Sequence, residues 1–164
     1  WIHEGKLLAP DGITEDGLGT AVATRGDLIV VGATWHDDLG DASGAAHVWS
    51  GATGTWQHAG ELLLPGGSAG DAFGQAVGCE VGTVLVTAPW HGVDMPAAGA
   101  AWLFRAEGPS WRPESDLALV DPRRDSSFGH AAAISQGRAV VGAPTRDAGV
   151  AHVFCGVGVT ELCV

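Results

Sequence analysis

Residues 84–91 read Val84-Leu85-Val86-Thr87-Ala88-Pro89-Trp90-His91, and 55 residues earlier stands Ile29-Val30-Val31-Gly32-Ala33-Thr34-Trp35-His36. The same step forward gives Ala139-Val140-Val141-Gly142-Ala143-Pro144. Each stretch is a short apolar run rich in β-branched residues, with no helical stripe and a turn at its end. Such runs predict central strands buried on both faces. The offset extends outward from them. Trp1, Trp56 and Trp111 share it, as do Leu7, Leu62 and Leu117. So do Gly19, Gly74 and Gly129, which follow Leu18, Phe73 and Phe128. Gly44-Ala45-Ala46 returns as Gly99-Ala100-Ala101, and, in a third copy five residues shorter, as Gly149-Val150-Ala151.

The repeat makes residues 1–164 a single region of three units, 1–55, 56–110 and 111–164. Its period lies in the range of propeller blades. Within the first unit the pattern predicts strands at 19–23, 28–33, 45–49 and 56–64. The second repeats them at 74–78, 84–88, 100–105 and 111–119, and the third at 130–134, 139–143 and 150–155. The third unit's outer strand is weak, with only Thr160-Glu161-Leu162 echoing Gly60-Glu61-Leu62. Trp1 to Leu8 reads as the outer strand of an upstream blade. The predicted fold is all-β: three four-stranded antiparallel blades of a partial, open β-propeller, since closed rings use about four to eight blades. The chain is therefore expected to be an arc of a longer array, or a protomer that completes its ring by self-association.

Composition narrows the function classes. With 46% hydrophobic residues the chain is no disordered tail. Its formal net charge of −11 repels phosphate backbones and anionic lipid heads, against nucleic-acid binding and membrane adsorption. No apolar run reaches the roughly 18 residues of a membrane span. The chain starts at Trp1 without a signal-peptide pattern, as expected for a processed chain or an excised piece. Cys79, Cys155 and Cys163 are an odd set with no zinc-type spacing. They fit either one disulfide plus a free thiol or, the blander reading, three buried thiols.

The units resemble the FG-GAP repeat, the blade of integrin α-chain-type propellers, and most closely its bacterial-type variant. The residues that carry the likeness are Leu18-Gly19 with Gly32-Ala33-Thr34, Phe73-Gly74 with Thr87-Ala88-Pro89, and Phe128-Gly129 with Gly142-Ala143-Pro144. Leu18, Thr34 and Thr87 depart from the pattern, and His47, Trp102 and His152 stand where tyrosine is usual. The resemblance implies an extracellular or cell-surface adhesion module with protein or glycan ligands and no cofactor. Integrin-type calcium loops do not carry over. The turns at Thr24–Asp27, Cys79–Gly82 and Ser135–Gly137 are too short and too poor in oxygen for a cation that takes about six to eight ligands.

Trp35-His36 and Trp90-His91 recur after the central strands and are the candidate binding residues; the third unit has Thr145-Arg146 instead. Exposed tryptophans there would anchor a sugar or a protein. The competing reading has each indole covering its own blade end, and burial between blades would exclude the anchor. The run His36-Asp37-Asp38 with Asp41, echoed by His91 with Asp94 and by Asp147, reads as a solvated acidic loop, and no metal site is expected. Asp16, Asp71 and Asp125 precede the Leu/Phe-Gly pairs and are expected to cap turns. Arg25-Gly26-Asp27 reads as hairpin chemistry, and His47 and His152 as packed strand residues. No nucleophile elbow, zinc-protease motif or P-loop is present. The leading expectation is a non-enzymatic binding or scaffold module. The alternative is part of a secreted carbohydrate-active hydrolase or lyase, which would need acid and base groups converging in one cleft.

Overall fold

The computed structural model describes residues 1–52, 54–92, 97–117, 119, 126–145 and 147–156. Eleven strands form three antiparallel sheets in simple meander order. The first holds β1 (Leu18–Arg25), β2 (Leu28–Ala33), β3 (Ala45–Ala52) and β4 (Thr55–Leu62). The second holds β5 (Val77–Glu80), β6 (Thr83–Ala88), β7 (Ala100–Glu107) and β8 (Ser110–Asp116). The third holds β9 (Ala131–Ser135), β10 (Arg138–Ala143) and β11 (Val150–Cys155). The fold is thus three blades of an open propeller, with no ring closed among the described residues. The expected outer strand of the third blade, around Thr160-Glu161-Leu162, lies outside those residues.

The hairpins between first and second strands are tight. Residues 26–27, 81–82 and 136–137 make the turns, with Gly26, Gly82 and Gly137 at positive φ. Registers run Arg25 to Leu28, Glu80 to Thr83 and Ser135 to Arg138. Arg25-Gly26-Asp27 is such a hairpin corner. The outer strands β4 and β8 each carry one bulge, at Ala59 opposite Val48 and Trp49 and at Glu114 opposite Leu103 and Phe104. Pro113 sits on the β8 edge, where its missing N–H costs no ladder bond.

The blades join where the leading Phe-Gly pair of one meets the third strand of its predecessor. Gly44 bridges Phe73, and Gly99 bridges Phe128. Phe73 N–H donates to Ser43 O at 2.9 Å, and Phe128 N–H to Ala98 O at 3.2 Å. The approach is so close that a Cβ on Gly32 would stand 2.0 Å from Gly74 O, and one on Gly99 2.0 Å from Phe128 O. That closeness is why the inner strands are rich in glycine and alanine. Phe73 and Phe128, both buried, fill the wedge between sheets as they diverge, 6.0 Å from the rings of Phe104 and Phe154 respectively. Trp111 reaches from the second outer strand to the first, since a Cβ on Gly60 would lie 3.3 Å from its Cδ1.

The two end faces lack this cover. Val77 is 7% exposed between the first two sheets, whereas its counterpart Val22 on the open face is 70% exposed. At the other end β10 alternates exposed and buried residues, while the equivalent β6 is buried throughout. Trp1 to Leu8 forms no strand, contrary to expectation. An outer strand takes its hydrogen bonds from a third strand of its own blade, and none stands beside this segment among the described residues. Cys79 is a buried free thiol and Cys155 is disulfide-bonded, so the three-thiol reading fails.

Candidate functional site

The loops after β2 and β6 begin with the same scaffold. His36 N–H donates to Ala33 O at 3.3 Å and His91 N–H to Ala88 O at 3.2 Å. Gly44 N–H and Gly99 N–H return to the His36 and His91 carbonyls, each at 2.8 Å. The tryptophans leave these corners outward: Trp35 is 64% exposed and Trp90 51%. Trp35 rests one ring edge on Gly17, where a Cβ would stand 2.4 Å from its Cδ1. The Trp35 indole is therefore held along one edge, and both indoles are open to solvent.

The histidines beside them point the other way. His36 is only 5% exposed and His91 is half-buried. These side chains lie beneath the surface that the sequence offered them to, because the residue after an outward tryptophan turns to the opposite side of the loop. The reading of His36-Asp37-Asp38 as a solvated loop fails at His36 for the same reason. Asp37 does remain at the surface, where its Oδ1 accepts the Ala42 N–H at 2.9 Å. Asp94 and Asp125 fall outside the described residues.

Asp16 and Asp71 cap turns as expected. Oδ2 of Asp16 accepts Ile13 N–H and Oδ2 of Asp71 accepts Ser68 N–H, each at 2.7 Å. Each carboxylate also approaches its blade's histidine. In the second blade His91 Nδ1 lies 2.9 Å from Asp71 Oδ2 in a regular hydrogen bond. In the first, His36 Nδ1 stands 3.4 Å from Asp16 Oδ2, while Nε2 faces Glu61 Oε1 at 3.0 Å and Asp38 Oδ1 at 3.3 Å. Burial opposes charge on His36. The close carboxylate of Asp16 and the charges of Glu61 and Asp38 outweigh it and raise the imidazole pKa. Burial raises that of Glu61, with Asp11 and Asp38 adding to it. Glu61 was not a candidate from sequence; only its place one blade before Asp116 could have flagged it.

His47 is fully buried on β3, its Nδ1 3.2 Å from His58 Nε2. Burial lowers its pKa. It borders a cleft of about 370 Å³ between the N-terminal segment and the first sheet, lined also by Leu8, Ile13 and Asp16. His152 stacks edge-on against Phe128 at 5.7 Å.

No helix among the described residues is long and apolar enough to cross a membrane. No curated protein matches the chain. The family model of the FG-GAP repeat matches residues 1–49. That span carries the Leu18-Gly19 pair, the first three strands and the Gly44-Ala45-Ala46 run; the second and third sheets repeat the same elements in phase, consistent with propeller blades.

Proposed function

We propose that this chain is a non-enzymatic, extracellular or cell-surface binding module whose contact surface centres on Trp35 and Trp90. The observation that carries the reading is the outward exposure of both indoles at equivalent corners of adjacent blades. Large exposed aromatic faces supply contact area, as sugar-stacking and protein-anchoring residues do. The FG-GAP repeat supports a propeller-type binding role. The disulfide at Cys155 suits an oxidising compartment.

A glycan array and a pull-down from extracellular extracts, run with the parent, Trp35→Ala and Trp90→Ala, test the reading and separate the two ligand classes. Each substitution is expected to weaken capture at least tenfold, the scale of an aromatic hot spot at about 2 kcal/mol. Equal capture by parent and both variants refutes the site. Turnover of a bound glycan would overturn the non-enzymatic assignment.

A further inference from the structure

We propose that Asp11, His36, Asp38 and Glu61 form a binding site for a divalent transition cation of the zinc type. One ligand atom from each of the four lies within 4.8 Å of all the others. They come from three separate stretches: the N-terminal segment, the loop after β2, and β4. A bound cation would tie all three together beside the corner that presents Trp35.

The buried imidazole carries the case beyond a cluster of acids. His36 is more than nine-tenths buried, yet neither ring nitrogen has a hydrogen-bond partner, and Glu61 Oε1 is likewise buried and unbonded. The contacts of Nε2 at 3.0 and 3.3 Å are short but lack hydrogen-bond alignment. Atoms that converge without bonding one another suit a shared cation. Ligand bonds of about 2.0–2.2 Å put tetrahedral ligand atoms roughly 3.3–3.6 Å apart, close to these separations. Asp11, exposed, is free to close the remaining gap. Asp16 Oδ2 lies on the Nδ1 side of the ring, in the place of the carboxylate that orients a metal-bound histidine.

The second blade is an internal control. There Val93 and Gly66 replace Asp38 and Asp11 at the 55-residue offset, and Asp116 replaces Glu61. Asp116 is exposed, and His91 forms an ordinary hydrogen bond to Asp71. Of these two equivalent histidines, the one surrounded by the extra carboxylates is the one with both ring nitrogens buried and unbonded. One nitrogen with three carboxylates suits zinc-like ions and falls short of the six to eight oxygens typical of calcium. A proton on His36 is the rival occupant. It would leave four carboxylates facing one positive charge.

Chelator-stripped full chain titrated calorimetrically with Zn²⁺ decides between them. One saturable site per chain is expected. Asp38→Asn and Glu61→Gln should each weaken it at least about tenfold, and Asp16→Asn by a similar factor through the imidazole's orientation. Asp41→Asn, a loop carboxylate outside the cluster, should leave it unchanged, and Ca²⁺ should give no comparable binding. Asp38 is half-exposed, so its variant folds even if the Glu61 variant does not, and circular dichroism verifies this. Absence of a saturable Zn²⁺ site overturns the proposal. So does parent-like affinity in Asp38→Asn, or equal loss in Asp41→Asn, which would mark diffuse attraction to an acidic surface.

Discussion

Thr87 joins the second and third blades through its hydroxyl, and replacing it with valine isolates that one atom. The side chain is fully buried. Its Oγ1 donates to Gly129 O at 2.6 Å across the blade junction and accepts Ala76 N–H at 3.0 Å within its own sheet. At the junction between the first two blades the equivalent residue is Gly32, pressed directly on Gly74. At the second junction a Cβ on Gly129 would instead meet Thr87 Cβ at 2.9 Å, so here the threonine takes up the space and supplies the bond. Valine keeps the shape and removes the oxygen. Ala76 N–H and Gly129 O then lose this partner in a dry interface, at about 1–3 kcal/mol each when left unsatisfied. A total of about 2–6 kcal/mol lowers Tm on the order of 10 °C for a chain of this size. Urea unfolding followed by tryptophan fluorescence measures the loss. Thr87→Ser, which keeps the hydroxyl and gives up one methyl, should cost only about 1 kcal/mol. A valine variant within 0.5 kcal/mol of the parent, or a serine variant as damaged as valine, would show that packing rather than the hydrogen bond closes this junction.

Three further outcomes follow from the same junctions. Phe73→Ala should lose about 3–5 kcal/mol in urea unfolding, because the wedge it fills between two sheets cannot collapse. Gly74→Ala places a Cβ 2.2 Å from Ala45 O at φ +93° and should cost about 2–6 kcal/mol. Gly26→Ala, also at positive φ but with open space around it, should cost only about 1–2 kcal/mol; equal losses would deny that blade approach matters. Burial raises the Cys79 pKa, so the folded state holds the thiol neutral. Stability from this group is then full below the unfolded thiol pKa of about 8.5 and falls as pH rises past it. Native protein should alkylate at Cys79 at least tenfold more slowly than urea-unfolded protein near pH 8, and comparable rates would contradict its burial.

Much of this architecture is legible because a propeller writes its geometry at fixed intervals. The 55-residue offset locates Phe73 and Phe128, Gly74 and Gly129, and the central strands, since each performs one task at each junction. Boundaries are less legible. The first strand of the second blade starts at Val77, not at Gly74, because Phe73 N–H is spent on Ser43 of the preceding blade, and Gly74 N–H reaches Thr87 of its own sheet ahead of the regular ladder. Pattern alone does not tell a residue paired within a sheet from one paired between sheets. The failure at Trp1 to Leu8 has the same root. A strand-like pattern becomes a strand only beside a partner, and pairing is a property of the neighbour.

The site behaves differently, because its parts do not repeat. Asp16 and Asp71 were readable as turn caps, and the outward tryptophans as candidates, since those roles are local. The cluster around His36 joins residues 11, 36, 38 and 61, whose separations match no motif spacing. Two blade features bring the last three together, the meander that sets β4 at the sheet edge and the return of Gly44 N–H to His36 O, and the N-terminal segment ahead of β1 adds Asp11. The repeat even argues against it at first sight, because the second blade keeps the histidine and its aspartate and lacks two of the other acids. That contrast is the useful signal. Where the blade needs only structure, His91 and Asp71 satisfy each other at 2.9 Å. Where three more carboxylates converge, the same imidazole is buried with no bond of its own, an arrangement costing about 1–3 kcal/mol per unsatisfied atom. A fold that supplies the cheaper solution 55 residues away has no structural need of the expensive one, and a cation is the occupant that would make it favourable.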